Sequence, residues 1–166
     1  MSTRGIPGEA RVQASSTLAV PMSLLTLVGL GVAGYMAYTD LTSSTLMCGG
    51  IGDCDTVHAS AYAFLLGVPV SVLGLGSYAG IALLLVARQR FVGEGEYLAL
   101  LGVLTIGVSG TVFSAYLTYV EFFVIHAVCP WCVASATVIA VLAFLAVVNV
   151  RQEIRRETGD RQRKDG

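Results

Sequence analysis

Four cysteines are the residues of this chain best equipped for chemistry: Cys48, Cys54, Cys129 and Cys132. Cys129-Pro130-Trp131-Cys132 is a C-x-x-C that opens a helix, since proline suits the first helical position, where its missing N–H costs nothing. A cysteine at such a start feels the positive end of the helix dipole, which favours its thiolate and hence redox reactivity. Cys132 follows about one turn deeper, so one sulfur faces the aqueous surface and the other the interior. Closing so short a loop gains little entropy, which points to redox exchange ahead of mere stapling. Cys48 and Cys54 form a second pair, separated by a segment containing Gly49, Gly50 and Gly52. Those glycines permit unusual backbone angles, so the loop can open and close a disulfide. Asp53 and Asp55 flank Cys54 and disfavour its thiolate, whereas Cys48 has no adjacent charge. Taken alone, this second pair also fits a structural staple in an exposed loop.

Other chemistries fit less well. Structural zinc draws on two short clips, and the Cys48–Cys54 spacing is too wide for one, so no metal is expected. Covalent haem needs C-x-x-C-H, but Val133 follows Cys132. His58 and His126 read as exposed polar residues, and Glu121 as a solvated interfacial carboxylate. There is no nucleotide, flavin or iron–sulfur fingerprint, so a dithiol relay in lipid points to a membrane quinone as electron acceptor. Ser60, Tyr62 and Phe64 lie just after Cys54, in a polar-aromatic stretch that reads as a short helix. They are candidates to line a quinone head-group pocket, and fit equally well as a cap with interfacial aromatics.

The elements that must position these residues are membrane helices. Of 166 residues, 55% are hydrophobic and 13% charged, with a mean hydropathy of +0.74. A soluble domain carries about 25% charged residues, so an ordinary water-soluble globule is excluded. The uncharged runs 12–39, 56–87, 97–120 and 122–150 each suffice for a span, which takes about 20 residues. The expected fold is an all-α membrane protein with helices near 17–39, 67–88, 97–123 and 130–150. It is a four-transmembrane-helix bundle with a cysteine-bearing outer loop and a short cap helix between helices 1 and 2. Residues 1–16 form an N-terminal segment, 17–150 the transmembrane domain and 151–166 a basic, lipid-facing tail. The apolar stretch from Leu18 is too long for a signal-peptide core. All ten Lys and Arg lie in the N-terminal segment, the second connection or the tail. By the positive-inside rule both termini are cytoplasmic and the four cysteines face outward, in a multi-pass inner (plasma) membrane protein. Gly76 and Gly80 form a small-xxx-small pair, and Gly29, Gly107 and Gly110 allow close helix approach elsewhere. The single short basic cluster gives no support to nucleic-acid binding.

In its motifs the chain resembles the vitamin K epoxide reductase family, specifically its bacterial four-helix members. Three stretches carry the resemblance: Cys54-Asp-Thr-Val57-His-Ala-Ser60-Ala-Tyr62, Gly67-Val-Pro69 with Gly74, and Phe113-Ser-Ala-Tyr116-Leu-Thr-Tyr119 through Ile125-His126-Ala-Val-Cys129-Pro-Trp-Cys132. It extends over residues 17–150. The resemblance implies a quinone-coupled thiol oxidase, with ubiquinone or menaquinone as acceptor, that recharges a thioredoxin-fold, DsbA-like partner with disulfides. It implies that Cys48 and Cys54 shuttle electrons to Cys129 and Cys132, that Cys132 lies against the quinone, and that Ser60 belongs to the active site. Many bacterial members carry a fused thioredoxin-like domain, and this chain's end at Gly166 points to a separate partner. Animal members place an aromatic residue four positions after the last cysteine, where this chain has Ala136, so a plain quinone is expected ahead of vitamin K epoxide. The rival readings are a quinone or epoxide reductase using the same relay, and a non-catalytic scaffold stapled by disulfides or zinc.

Overall fold

Among the described residues, four helices are long and apolar enough to cross a membrane, as the uncharged runs predict. The computed structural model describes residues 7–44, 46–48, 53–90 and 94–164. The glycines expected to loosen the first cysteine loop, Gly49, Gly50 and Gly52, lie outside the described residues. Helix α1 is Pro7–Thr42, α3 is Val70–Arg90, α4 is Glu94–Val120 and α5 is Pro130–Lys164. Between α1 and α3 lies a cap made of the short helix α2 (Cys54–His58), a single 3₁₀ turn (Ala61–Ala63) and a hairpin. The hairpin pairs β1 (Phe64–Leu65) with β2 (Val68–Pro69) in antiparallel register, Phe64 opposite Pro69 and Leu65 opposite Val68.

The cap corrects one expectation. Gly67-Val-Pro69 does not begin the second spanning helix, which starts at Val70. Leu66 and Gly67 instead form the hairpin turn with φ of 53° and 83°. A two-residue turn with positive φ at both positions matches the twist of its strands, and glycine takes the second at no steric cost. The tail also departs from expectation, since α5 continues as helix through Lys164 rather than stopping near 150.

Packing alternates around the bundle: α1 meets α3 and α5, and α4 meets α3 and α5. The core joins Met22, Tyr78, Ile81, Val103 and Leu142. Leu24, Leu27, Leu83, Val112 and Phe144 stay exposed on the outside. Helices apolar on both faces belong in lipid, where outward leucines need no cover. Close approach relies on Gly29, which receives the Tyr78 ring, and on Gly107, whose added Cβ would meet the Ala143 backbone at 3.1 Å. Gly110 meets Ile139 in the same way, whereas Gly76 faces nothing within 4 Å, so the expected Gly76–Gly80 packing pair is not formed. Intramembrane hydroxyls are satisfied by their own helices, as where Thr26 donates to the Met22 carbonyl and Thr111 to that of Gly107.

The two ends of the bundle differ. At one, Asn149 of α5 donates to Met22 of α1, and Arg88 of α3 pairs with Glu96 of α4. At the other, Tyr35 of α1 packs on Trp131 of α5, and Ser71 of α3 reaches Asp40 of α1. All four cysteines gather at this second end.

Candidate functional site

The cysteine-bearing end is assembled by two connections between spanning helices, α1 to α3 through the cap and α4 to α5. Helix α4 does not stop cleanly: it widens into one π-helical turn over Glu121–Ile125, and His126 then takes a left-handed conformation with φ 55°. Such turns frequently mark functional sites. The Ala127 N–H closes back on the Glu121 carbonyl, which swings the chain round to start α5 at Pro130. Cys129 therefore caps α5, with its sulfur accepting the Cys132 N–H at 3.4 Å. Cys129 is fully buried, and Cys132, a turn further on, is half-buried.

Cys48 and Cys54 are joined by a disulfide across a Cα–Cα distance of 6.4 Å, while Cys129 and Cys132 are free thiols. Both pairs belong to one packed cluster, with Cys54 and Cys129 at its buried centre beside Met36, Val57 and Ala127. Asp53 ties the two loops together by donating its N–H to the Val128 carbonyl at 3.2 Å. Its carboxylate caps α2 through the Thr56 N–H, and that of Asp55 accepts the Leu46 N–H, so both acids beside Cys54 are engaged in holding the loop. The segment leading to Cys48 is tied to α5 and α1: Trp131 Nε1 donates to the Met47 carbonyl, and the Met47 N–H donates to the Tyr35 hydroxyl, each at 3.1 Å.

Two residues read from the sequence as ordinary solvated groups sit in the site instead. Glu121 is only 3% exposed, and its carboxylate accepts the Cys129 N–H at 3.1 Å. It is a buried partner of the cysteine cap, not an interfacial carboxylate. His58 ends α2, and its Nδ1 lies 2.7 Å from Asp40 Oδ1, with both side chains less than one-fifth exposed. Its Nε2 is 3.9 Å from the sulfur of Cys129 and 3.9 Å from that of Cys132. Ser71 donates to the other Asp40 oxygen at 2.5 Å, so α1, the cap and α3 converge on one carboxylate.

This surrounding shifts the ionisation of Cys129. The hydrogen bond with Cys132 and those from His58 and the Cys132 backbone overcome burial and lower its pKa to about 5. For His58, burial opposes the charged imidazolium, but the hydrogen bonds with Cys129 and Asp40 and their negative charge prevail and raise its pKa. The ligand atoms of His58, Cys129 and Cys132 lie within 4.8 Å of one another. That grouping is one ligand short of a closed structural zinc site and contains the C-x-x-C sulfurs themselves.

Behind the cysteines a cavity of about 160 Å³ opens among the cap and all four spanning helices. A pocket on the order of 150 Å³ admits one benzene ring, so this one takes a single ring-sized head group. Its walls are largely apolar, among them Met36, Leu73, Phe113 and Ile139, with His58, Ser60, Tyr62 and Cys132 as polar or reactive points. Ser60 and Tyr62 line this cavity, and the Ser60 hydroxyl donates to the Val57 carbonyl at 2.6 Å. Phe64 does not line the cavity: it lies in β1 and is half exposed, because the chain has by then left the 3₁₀ turn for the hairpin. Ala136 lines the wall and leaves room that a larger side chain would fill.

Comparison with known proteins agrees with this architecture. Residues 20–147 match the Vitamin K epoxide reductase family. Thiol-disulfide oxidoreductase LTO1 of Arabidopsis thaliana is 31% identical over 137 residues, which cover 75% of this chain and 35% of that protein. The chain thus spans about a third of the length of that curated relative. The family match takes in all four spans, the cap and both cysteine pairs, and on that footing the chain belongs to the vitamin K epoxide reductase family.

Proposed function

We propose that this chain is a membrane thiol oxidoreductase that takes two electrons from a thioredoxin-fold, DsbA-like dithiol and delivers them to a quinone. One observation carries the reading: a loop disulfide packs against a free C-x-x-C pair whose inner cysteine lines an apolar, ring-sized cavity.

The relay runs by thiol–disulfide exchange. A partner thiolate attacks Cys48 and displaces Cys54 as a thiolate. Cys54 attacks Cys129 of the oxidised inner pair, which frees Cys132 at the cavity wall. The partner's second thiol then resolves its mixed disulfide with Cys48, and Cys48 in turn expels Cys129, restoring the loop disulfide and leaving the inner pair reduced. The quinone, as substrate, supplies the two-electron sink. Around it Cys132 offers the electrons, Ser60 and Tyr62 offer polar contacts, and Met36, Phe113 and Ile139 exclude water. Cys48, Cys54, Cys129, Cys132 and Ser60 are the proposed site residues. The charge pattern supports placing both termini in the cytoplasm and the cysteine-bearing end outside, in a plasma membrane.

The test is direct. Purified protein given a reduced thioredoxin-fold donor and either ubiquinone or menaquinone should bleach the quinone absorbance while the donor gains its disulfide. Absence of quinone consumption with both acceptors, in protein whose inner pair is oxidised at the start, would overturn the reading.

A further inference from the structure

We propose that His58 is a catalytic residue that holds one of the two protons of the reduced inner pair at Nε2, with Asp40 as its positioning residue. The proposal rests on the thiol-oxidoreductase reading and names how that site handles protons. Asp40 Oδ1 accepts from Nδ1–H of His58 at 2.7 Å, and Ser71 fixes the second oxygen of the carboxylate. This bond assigns the tautomer, so Nε2 is the atom free to gain or lose a proton toward the sulfurs. Nε2 stands 3.9 Å from each sulfur, a position equally useful to Cys129 when it is a thiolate and to Cys132 when the S–S bond forms. His58 also lines the cavity, as does Asp40, so the proton has an apolar, enclosed path to a bound head group.

The step balances. Reduced site and quinone contain a Cys129 thiolate, a Cys132 thiol and an imidazolium. The Cys129–Cys132 bond forms and two electrons leave the sulfurs for the quinone. Two protons follow, one from the Cys132 thiol and one from His58 Nε2. The products are the disulfide, neutral His58 and hydroquinone, while the Asp40 carboxylate stays as it was, held by His58 Nδ1–H and Ser71. A cavity of this polarity penalises net charge, so a proton stored beside the thiolate lowers the cost of the transfer. The ionisable groups that face His58 are Asp40 from α1, Glu121 from the end of α4, and Cys129 and Cys132 at the start of α5. Asp40 and the Cys129 thiolate both favour the imidazolium, which matches the raised His58 and lowered Cys129 pKa values.

The experiment reads the thiolate itself, without partner or quinone. Full-length protein with Cys48→Ser and Cys54→Ser is reduced in detergent, and ultraviolet thiolate absorbance is followed against pH, with Cys129→Ser as the blank. The expected midpoint is about 5. The hydrogen bonds from Cys132 remain in His58→Gln, which should raise that midpoint and cut the thiolate fraction near pH 6 by at least about twofold. Asp40→Asn keeps the imidazole and should move the midpoint in the same direction by less, so it decides the question even if His58→Gln fails to fold. Unchanged midpoints in the folded variants would overturn the proposal and leave the oxidoreductase reading standing. Shifted midpoints in a protein that reduces no quinone would establish the dyad and reject that reading.

Discussion

The two cysteine pairs share one end of the bundle but are held in opposite ways. Cys129 and Cys132 stand on the first turn of a long helix, one buried completely, with Glu121, His58 and a backbone N–H directed at the same sulfur cap. Cys48 and Cys54 belong to a connection between spans, held by a five-residue helix, an aspartate cap and two hydrogen bonds to Met47. The difference separates two demands. If, as proposed, the inner pair hands electrons to a small ring, it needs a fixed geometry and a tuned ionisation, which a rigid helix start and a packed charge network supply. On the proposed reading the loop pair meets a protein partner, and it does so through half-buried Cys48, since Cys54 is packed at the centre of the cluster. The disulfide in the loop and the dithiol at the helix mark the same division.

The largest effect expected from breaking this division is a split by donor. Cys132→Ser should remove quinone reduction by at least about a thousandfold with every donor, because no disulfide can form at the cavity wall. Cys48→Ser and Cys54→Ser should be equally inactive with a thioredoxin-fold donor, yet retain turnover with a small membrane-permeant dithiol that reaches the inner pair directly. Steady-state quinone bleaching with the two donors measures the split. Equal loss with both would merge the two pairs into one inseparable site.

A second experiment sharpens the order of events within the loop. Cys54→Ser leaves Cys48 a free thiol, so the variant is given oxidised partner: the Cys48 thiolate attacks the partner's disulfide, the partner's second sulfur leaves as a thiolate, and no Cys54 thiol is present to expel the adduct. Non-reducing gels and mass spectrometry of Cys54→Ser should then find most of the bound partner disulfide-linked to Cys48. Replacing Cys129 leaves the loop pair able to resolve itself, so little adduct should accumulate there. An adduct on Cys54 in Cys48→Ser, with none in the reverse variant, would exchange the two roles.

Much of this was legible in the sequence, and what was not has a physical reason. The spans were readable because a membrane excludes charge over whole runs, and 97–120 and 122–150 interrupt only at Glu121. Their ends were less so: the Leu66–Gly67 turn moves the start of α3 from Gly67 to Val70. The cysteine pairs were readable because close spacing is a local property. His58, by contrast, finds Asp40 across 18 residues and Cys129 across 71, and no local pattern marks such a meeting. A signal did exist for Glu121, the lone acid between two spanning runs, since an ionisable residue at such a place marks function by default. Phe64 illustrates the reverse error, because reading the polar-aromatic stretch after Cys54 as one short helix carried it into the pocket that the hairpin takes it out of.

The smallest effect tests the joint between the two pairs. Trp131 sits inside the C-x-x-C, yet its indole N–H donates to Met47, one residue before Cys48, while its ring packs on Tyr35 at 5.1 Å between centroids. The same Met47 gives its own N–H to the Tyr35 hydroxyl. Trp131→Phe should keep most of the ring contact and lose one neutral hydrogen bond, a cost of about 1 kcal/mol. If that bond aligns the loop disulfide for attack on the inner pair, turnover with the protein donor should fall by roughly fivefold. Turnover with a small dithiol bypasses the joint and should be unchanged, because the cavity and the sulfur cap do not use the indole N–H. Rate ratios for the two donors in the variant and the wild type give the answer. A ratio that does not move would mean that the loop finds its register through Asp53 and Val128, Asp55 and Leu46, and the Met47–Tyr35 bond, and that the tryptophan serves the C-x-x-C as packing rather than as the hinge pin of the relay.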